Sequence, residues 1–142
     1  NTLSLKGLSA SMEFPILKKE TRLGSIPDVK IPIHLRTKFG YQPVAFLLDT
    51  GADFSMLPRH IATDWLGIDL NTLPRDRSYG IEGSKGVAVW VGKIHIKICK
   101  YELEIRCLFS ENPSCPYILG RMDIFSSYNI IFDNNQYIAD NY

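Results

Sequence analysis

One acidic residue lies where an apolar segment of the chain ends. Residues 44–48 read VAFLL, and Asp49, Thr50 and Gly51 follow directly. An ionised carboxylate beside a buried strand costs free energy unless hydrogen bonds or an opposite charge compensate for the lost water. Glycine allows a tight turn in which backbone amides approach a carboxylate closely. The pattern therefore indicates a carboxylate that is held at a strand end for a chemical purpose.

Three kinds of chemistry use an acid in this position. A metal site needs several ligands close together, and a glycosidase needs two carboxylates on opposite sides of a sugar cleft. An aspartic protease needs two aspartates that share a proton and activate a water molecule. No cluster of metal ligands accompanies Asp49, and no second acid stands in a comparable apolar setting. The aspartic protease remains as the third option.

Histidines and cysteines form no recognisable metal-binding or nucleophilic motif. The histidines are scattered and the cysteines lack CxxC spacing, so we expect free thiols, no metal and no cofactor. The residues concerned are His34, His60, His95, Cys99, Cys107 and Cys115. The chain also has no GxSxG motif, which weighs against a serine hydrolase.

The order of motifs from Val29 to Phe125 resembles that of the retropepsin family, the retroviral-type aspartic proteases. Asp49-Thr50-Gly51-Ala52 is similar to the active-site signature of that family. A glycine-rich segment follows at 80–86, then an alternating strand reading IHIKIC, and then the segment 118–121 reading ILGR. Retropepsins have a glycine-rich flap, alternating strands and a late glycine in the same order.

The resemblance implies a role for each residue of the signature. Asp49 would be the catalytic carboxylate, Thr50 would hydrogen-bond to its mate in the second loop, and the amide of Gly51 would donate to the carboxylate. Ala52 and Asp53 would lie against the substrate.

The resemblance also implies a flap and a supporting pair. Backbone amides at the flap tip would hold the substrate, and the tip residues are Ile81, Glu82, Gly83 and Ser84. Arg121, after Gly120, would pair with Asp53 and so support the site. Trp90, on the returning strand, would close a subsite or belong to the core, and the residues leave both readings open.

The chain carries the Asp-Thr-Gly signature once. Asp133 also follows an apolar strand, but Asn134 and Asn135 come next and are typical of a turn. Because the reaction needs two aspartates, we expect a C2 homodimer with the cleft on its axis. The function predicted is that of an aspartic endopeptidase, a hydrolase of peptide bonds. The alternative is an inactive retropepsin-like module for dimerisation or peptide binding.

Composition limits the partners. The net charge is +1, so we expect no nucleic-acid partner. The apolar runs are shorter than the roughly 20 residues of a membrane helix, so we also expect no membrane partner. The expected partners are a second copy and a protein or peptide substrate. Localisation is weakly constrained, with the cytoplasm or a viral or retroelement polyprotein as the expectation.

The pattern of apolar residues predicts an all-β fold that positions Asp49. Alternation favours strands at 29–35, 94–98 and 103–107, and apolar runs favour strands at 44–48 and 117–120. Gly40 and Pro43 predict a hairpin turn at 37–43. Pro58 and Gly67 bound a predicted short helix, and residues 121–128 would turn once or twice as a second. The resemblance implies a closed or partly open β-barrel with a flap hairpin.

Residues 26–142 are predicted to form a single protease domain, and residues 1–25 a flexible or peripheral segment. Within that segment, Phe14 precedes Pro15, and an aromatic–proline bond is a cleavage site typical of viral retropepsins. We therefore expect self-processing at this bond, against the alternative that Pro15 marks the edge of a strand.

Overall fold

The computed structural model describes residues 2–7, 11–78, 86–124 and 129–133. Their regular structure is almost entirely β, which confirms the all-β prediction. The strands are β1 (Thr2–Lys6), β2 (Ser11–Pro15), β3 (Leu17–Thr21), β4 (Gly24–Asp28), β5 (Lys30–Thr37), β6 (Gly40–Leu48), β7 (Ser55–Pro58), β8 (Arg75–Ser78), β9 (Val87–Ile98), β10 (Tyr101–Ser110), β11 (Ile118–Leu119) and β12 (Asn129–Asp133).

The largest sheet contains seven strands in the order β10-β7-β11-β6-β5-β9-β8. β9 also pairs with β10 along its length, from Ile98 opposite Tyr101 to Val89 opposite Ser110. The sheet therefore folds back on itself around a common core. The fold is rich in strands but is not a clear barrel. The structure therefore supports the predicted all-β class and not a closed barrel.

Period-two alternation places the core side chains as predicted. In β5, Ile31, Ile33 and Leu35 are buried while their neighbours in sequence are exposed. The same spacing buries Ile94 and Ile96 in β9, because alternate residues of a strand point to one face. The predicted strands at 29–35, 94–98 and 103–107 are thus confirmed.

The turn between β5 and β6 is tighter than expected. Thr37 pairs with Gly40, and the Thr37 hydroxyl donates to the Gly40 carbonyl at 2.7 Å and accepts from the Phe39 amide at 3.0 Å. Gly40 has a positive φ of 91°, a conformation that glycine adopts easily. Pro43 therefore lies inside β6 and not in the turn.

The first predicted helix is present but differs in geometry. Ile61–Trp65 is a π-helical segment in which the Leu66 amide donates to the Ile61 carbonyl at 3.0 Å. Gly67, with φ 68°, follows its end as predicted. Pro58 belongs to β7 and not to the first helical turn. A second short helix is a 3₁₀ turn at Leu70–Thr72. Of the helix predicted at 121–128, residues 121–124 form a turn, and residues 125–128 lie outside the described residues.

The first 28 residues contribute four strands, most of which the sequence did not predict. β1 lies between β12 and β2 in a three-stranded antiparallel sheet, and Leu3, Leu5 and Phe14 are buried in the core. β3 and β4 form a separate two-stranded hairpin. The boundary proposed between residues 25 and 26 stays a prediction.

Three further expectations concern the flap, the C-terminal hairpin and membrane spans. β8 and β9 pair antiparallel from Arg75 opposite Trp90 to Ser78 opposite Val87, which is the stem of a hairpin. Its predicted tip lies outside the described residues, as do Asn134 and Asn135 of the predicted C-terminal turn. Across the described part of the chain, no helix has the length and apolar character to span a bilayer.

Candidate active site

Asp49 lies in the turn that follows β6, and its backbone is fixed on two sides. Its amide donates to the Leu119 carbonyl at 3.1 Å, and its own carbonyl accepts from the Ala52 amide at 3.2 Å. The side chain is half-buried, and Oδ1 accepts a hydrogen bond from the Gly51 amide at 2.9 Å. The carboxylate is therefore oriented by the chain itself and remains accessible.

Gly51 permits this approach of backbone to carboxylate. A Cβ atom at this position would lie 3.3 Å from Oδ1 of Asp49, closer than most such contacts. The donation by the Gly51 amide that the resemblance implied is present. Thr50, next to it, is exposed. Its predicted bond to a mate requires a second loop of the same kind and stays a prediction.

A second segment, remote in sequence, closes against this turn. β11 pairs in parallel with the end of β6, so that Leu119 lies opposite Leu48. The Arg121 amide then donates to the Ala52 carbonyl at 2.9 Å, and the Met122 amide to the Asp53 carbonyl at 2.8 Å. We call residues 49–55 and 119–122 together the active-site corner. Backbone hydrogen bonds between its two segments hold the signature in place.

At Gly120 the two segments of the corner pack closely. A Cβ atom there would overlap the backbone carbonyl group of Phe54 and lie 2.9 Å from the Ser55 amide nitrogen. Only glycine fits, because the obstacle is backbone and cannot move aside as a flexible side chain would. The glycine of the ILGR segment is therefore required for steric reasons.

The predicted pairing of Asp53 with Arg121 is present. A terminal nitrogen of the Arg121 guanidinium donates to Oδ1 of Asp53. The Asp53 side chain is 70% exposed and the Arg121 side chain is 51% exposed, so the pair adds little stability by itself. The roles assigned to Asp53 at the substrate and to Arg121 and Gly120 in support stay predictions.

A second ion pair beside the corner was not predicted. Oδ2 of Asp123 accepts from the Arg106 amide at 2.8 Å and from its Nε at 3.1 Å, and Oδ1 accepts from a terminal nitrogen at 3.0 Å. These hydrogen bonds hold the pKa of Asp123 below its usual value and raise the pKa of Arg106. Both pairs border one groove of about 450 Å³, which Phe54 and Met122 also line.

The antiparallel pair β8–β9 leads to the segment where the flap tip is predicted. The predicted substrate-binding residues Ile81, Glu82, Gly83 and Ser84 lie outside the described residues. On the returning strand, Trp90 is 9% exposed, belongs to the hydrophobic core and lies under the Arg75 guanidinium at 3.9 Å. Trp90 also lines a groove of about 660 Å³ together with Arg59 and His60. The structure thus favours the core reading of Trp90.

The cysteines and the side chains that commonly bind metals show no further site among the described residues. All three cysteines are free thiols, and burial raises the pKa of Cys107 and of Cys115. Within the described ranges, no three of the side chains that commonly bind metals come together.

Ser55 is another residue at this site that the sequence did not predict. Its side chain is fully buried, and Oγ accepts a hydrogen bond from the Gly120 amide at 3.1 Å. The only signal in the sequence is one serine within the otherwise apolar strand SMLP.

Known proteins resemble part of this chain. The sequence profile of a family described as aspartyl protease matches residues 35–122, more than half of the chain. No curated protein matches. Among solved structures 109 chains match, and one is the EIAV protease complexed with the inhibitor HBY-793. It shares 25% identity and has a TM-score of 0.47, over 66% of this chain and 82% of that one. The profile match, the Asp-Thr-Gly turn and the paired late glycine together show that the chain belongs to the aspartyl protease family.

Proposed function

We propose that the protein is an aspartic endopeptidase, active as a homodimer in which each subunit contributes one Asp49. The observation that carries the proposal is the carboxylate of Asp49, half-buried and bonded at 2.9 Å by the Gly51 amide on a turn that a second segment braces. An accessible carboxylate in a fixed orientation is what an acid–base catalyst requires. Membership of the aspartyl protease family supports the same reaction class.

The dimer follows from the number of signatures. The chain contains one Asp-Thr-Gly, and the proposed reaction needs two carboxylates within hydrogen-bonding reach. Two such groups repel when both are charged, so the pair holds one proton over a range of pH. A two-fold axis through the cleft places two identical turns face to face, with the exposed Thr50 of each at the contact.

The two Asp49 carboxylates have different tasks in the proposed reaction. The ionised one takes a proton from a water molecule, and the water oxygen attacks the carbonyl carbon of the peptide bond. The protonated one donates its proton to the carbonyl oxygen. The carboxyl group that took the proton from water then gives it to the amide nitrogen, and the other carboxylate takes a proton from a hydroxyl of the tetrahedral intermediate. The bond between carbon and nitrogen breaks, and the pair again holds one proton. No covalent intermediate with the enzyme forms.

The surrounding residues take supporting tasks in the same proposal. Ala52 and Asp53 lie against the substrate backbone beside the turn. The flap residues Ile81, Glu82, Gly83 and Ser84 hold the substrate from the opposite side through their backbone amides. Gly120 and Arg121 keep the turn in register with the segment after β11.

The proposal is tested with a diverse peptide pool and the Asp49→Asn variant. We expect the wild type to cleave internal bonds and the variant to lose at least about 1,000-fold of the rate, because an amide cannot act as the base. Asp64→Asn is a matched control, since Asp64 is an exposed acid on the π-helical segment. It should keep full activity.

Two results would contradict the proposal. Cleavage by Asp49→Asn at the wild-type rate would remove Asp49 from the reaction. A wild-type chain that binds peptides from the pool without cutting them would instead support the inactive binding module.

Self-processing between Phe14 and Pro15 belongs to the proposal in a restricted form. Phe14 is 5% exposed and lies in β2, paired with Leu3 of β1. A protease cleft binds an extended and accessible segment, so β2 must leave the sheet before the bond can be cut. We therefore expect cleavage in chains that have not yet folded around β2. Mass spectrometry during refolding checks this expectation, and an intact bond throughout refolding would contradict it.

A further inference from the structure

Ser55 is an unusual residue for its position. Among the described residues the buried polar side chains are Ser4, Ser55 and Ser110, and Ser55 is the most deeply buried of them at 0% exposure. A buried hydroxyl costs free energy unless it finds a hydrogen-bond partner. Ser55 finds its partner 65 residues away, where its Oγ accepts from the Gly120 amide at 3.1 Å.

The partner amide belongs to a row of hydrogen bonds that joins the two segments of the active-site corner. The Leu119 carbonyl accepts from Asp49, the Arg121 amide donates to Ala52, and the Met122 amide donates to Asp53. The Gly120 amide lies within this row and donates to the Ser55 side chain. The hydroxyl thus adds a hydrogen bond between the segments at Gly120, where a Cβ atom would overlap the Phe54 backbone.

The bond has a direct route to the catalytic carboxylate. Gly120 follows Leu119, whose carbonyl oxygen holds the Asp49 amide at 3.1 Å. Gly120 also packs against the backbone of Phe54 and Ser55, so a shift of its peptide moves both segments. A displacement of catalytic groups by about 1 Å is enough to lower a rate on the order of 100-fold.

We infer that Ser55 is a positioning residue that sets the location of Asp49 through Gly120 and Leu119. The inference rests on the proposed function, in which Asp49 carries the chemistry. Ser55 itself does not touch the substrate. It acts by fixing the Gly120 peptide, so that the adjacent Leu119 carbonyl stays within hydrogen-bond distance of the Asp49 amide.

The test compares Ser55→Ala with Ser110→Ala. Ser110 is a matched control because it is also a buried serine, at 1% exposure. Its Oγ accepts a hydrogen bond of 3.0 Å from the Asn112 amide, and neither residue belongs to the corner. We expect Ser55→Ala to lower kcat by about 10- to 100-fold with little change in KM. Ser110→Ala should leave kcat within about twofold of the wild type, and Ser55→Thr, which keeps the hydroxyl, should restore most of kcat.

A second measurement needs no catalysis. Hydrogen exchange at the amides of Asp49 and Gly120 should be at least about 10-fold faster in Ser55→Ala and unchanged in Ser110→Ala, because loss of the bond opens the corner locally. If Ser55→Ala does not fold, Ser55→Cys, with its weaker acceptor, is measured in the same way.

The outcomes separate this inference from the proposed function. An equal kcat for the Ser55 and Ser110 variants, or an Asp49 amide that exchanges equally in both, overturns the positioning role. A wild-type chain that cleaves no peptide overturns the proposed function, and the exchange measurement then still decides whether Ser55 holds Asp49 in place.

Discussion

The active-site corner and the β3–β4 hairpin each bring two short segments of the chain side by side. The hydrogen bonds of the corner join residues remote in sequence, whereas those of the hairpin join near neighbours. In the corner, hydrogen bonds connect segments that are more than 60 residues apart in sequence. In the hairpin, the bonds are local, such as that from the Thr21 hydroxyl to the Gly24 carbonyl at 2.6 Å. Large apolar side chains there stay in solvent, with Leu23 at 94% and Leu17 at 60% exposure.

The difference shows what orders each region. In this two-stranded hairpin the described side chains are almost all exposed. Such a hairpin is marginally stable by itself, so its geometry depends on its turn residues. The corner instead has backbone packed directly on backbone, which leaves no room for adjustment. A change in the corner should therefore affect both stability and activity, whereas a change in the hairpin should have a small effect confined to stability.

The largest effect that tests this comparison is expected from Gly120→Ala. The added methyl group would overlap the carbonyl group of Phe54, and neither segment can move without breaking hydrogen bonds to the other. We expect a loss of about 3 kcal/mol in the free energy of unfolding, at the upper end of overpacking effects. Peptidase activity should fall with it. Denaturant unfolding and a peptide cleavage assay measure the two quantities.

Gly24→Ala in the hairpin is the matched control. Gly24 has a positive φ of 129°, but an added Cβ atom would meet nothing within 4 Å. The cost is therefore backbone strain alone, about 1–2 kcal/mol, and peptidase activity should not change. The comparison fails if Gly24→Ala is as destabilising as Gly120→Ala, or if only the hairpin variant loses activity.

A smaller effect is expected from Asp123→Asn, next to the corner. Asp123 has a φ of 68°, which asparagine also tolerates, so the change removes charge with little strain. The pKa of Asp123 is below its ordinary value in the folded chain because it accepts hydrogen bonds from Arg106. Its contribution to stability is therefore present above the ordinary carboxyl pKa and is lost as the pH falls through the lowered value.

We accordingly expect Asp123→Asn to lower stability at neutral pH and to make stability less sensitive to acid below about pH 4. Urea unfolding between neutral and strongly acidic pH measures this, with Asp64→Asn showing the effect of removing a carboxylate elsewhere. Identical pH profiles for Asp123→Asn and the wild type would show that the Arg106 pair contributes nothing.

The parts of the fold that the sequence predicted are those in which burial follows a simple period. Ile31, Ile33 and Leu35 face the core at every second position, so their strand was predicted correctly. Asp49 and its turn were found because an acid after an apolar run is unusual. Arg121 was paired with Asp53 from the family resemblance, and the structure contains that pair.

Other parts depend on contacts that no local pattern shows. β1 is short, and its burial of Leu3, Ser4 and Leu5 in succession follows no period of two, because it lies between β12 and β2. Pro58 was assigned to a helix since proline suits a first turn, but pairing with β10 places it in a strand. Ser55 and Arg106 gain their meaning only from partners far away in sequence.

The most direct test of the central claim is the hydrolysis rate of mixtures of wild-type chains and Asp49→Asn chains at constant total concentration, after subunits have been allowed to exchange. If each active site needs one Asp49 from each of two chains, an equal mixture contains active pairs in only about a quarter of its dimers, and the rate falls to about that fraction of the wild-type rate. A rate that falls in proportion to the wild-type fraction, to about one half, would show that a single chain carries the complete site and would contradict the account.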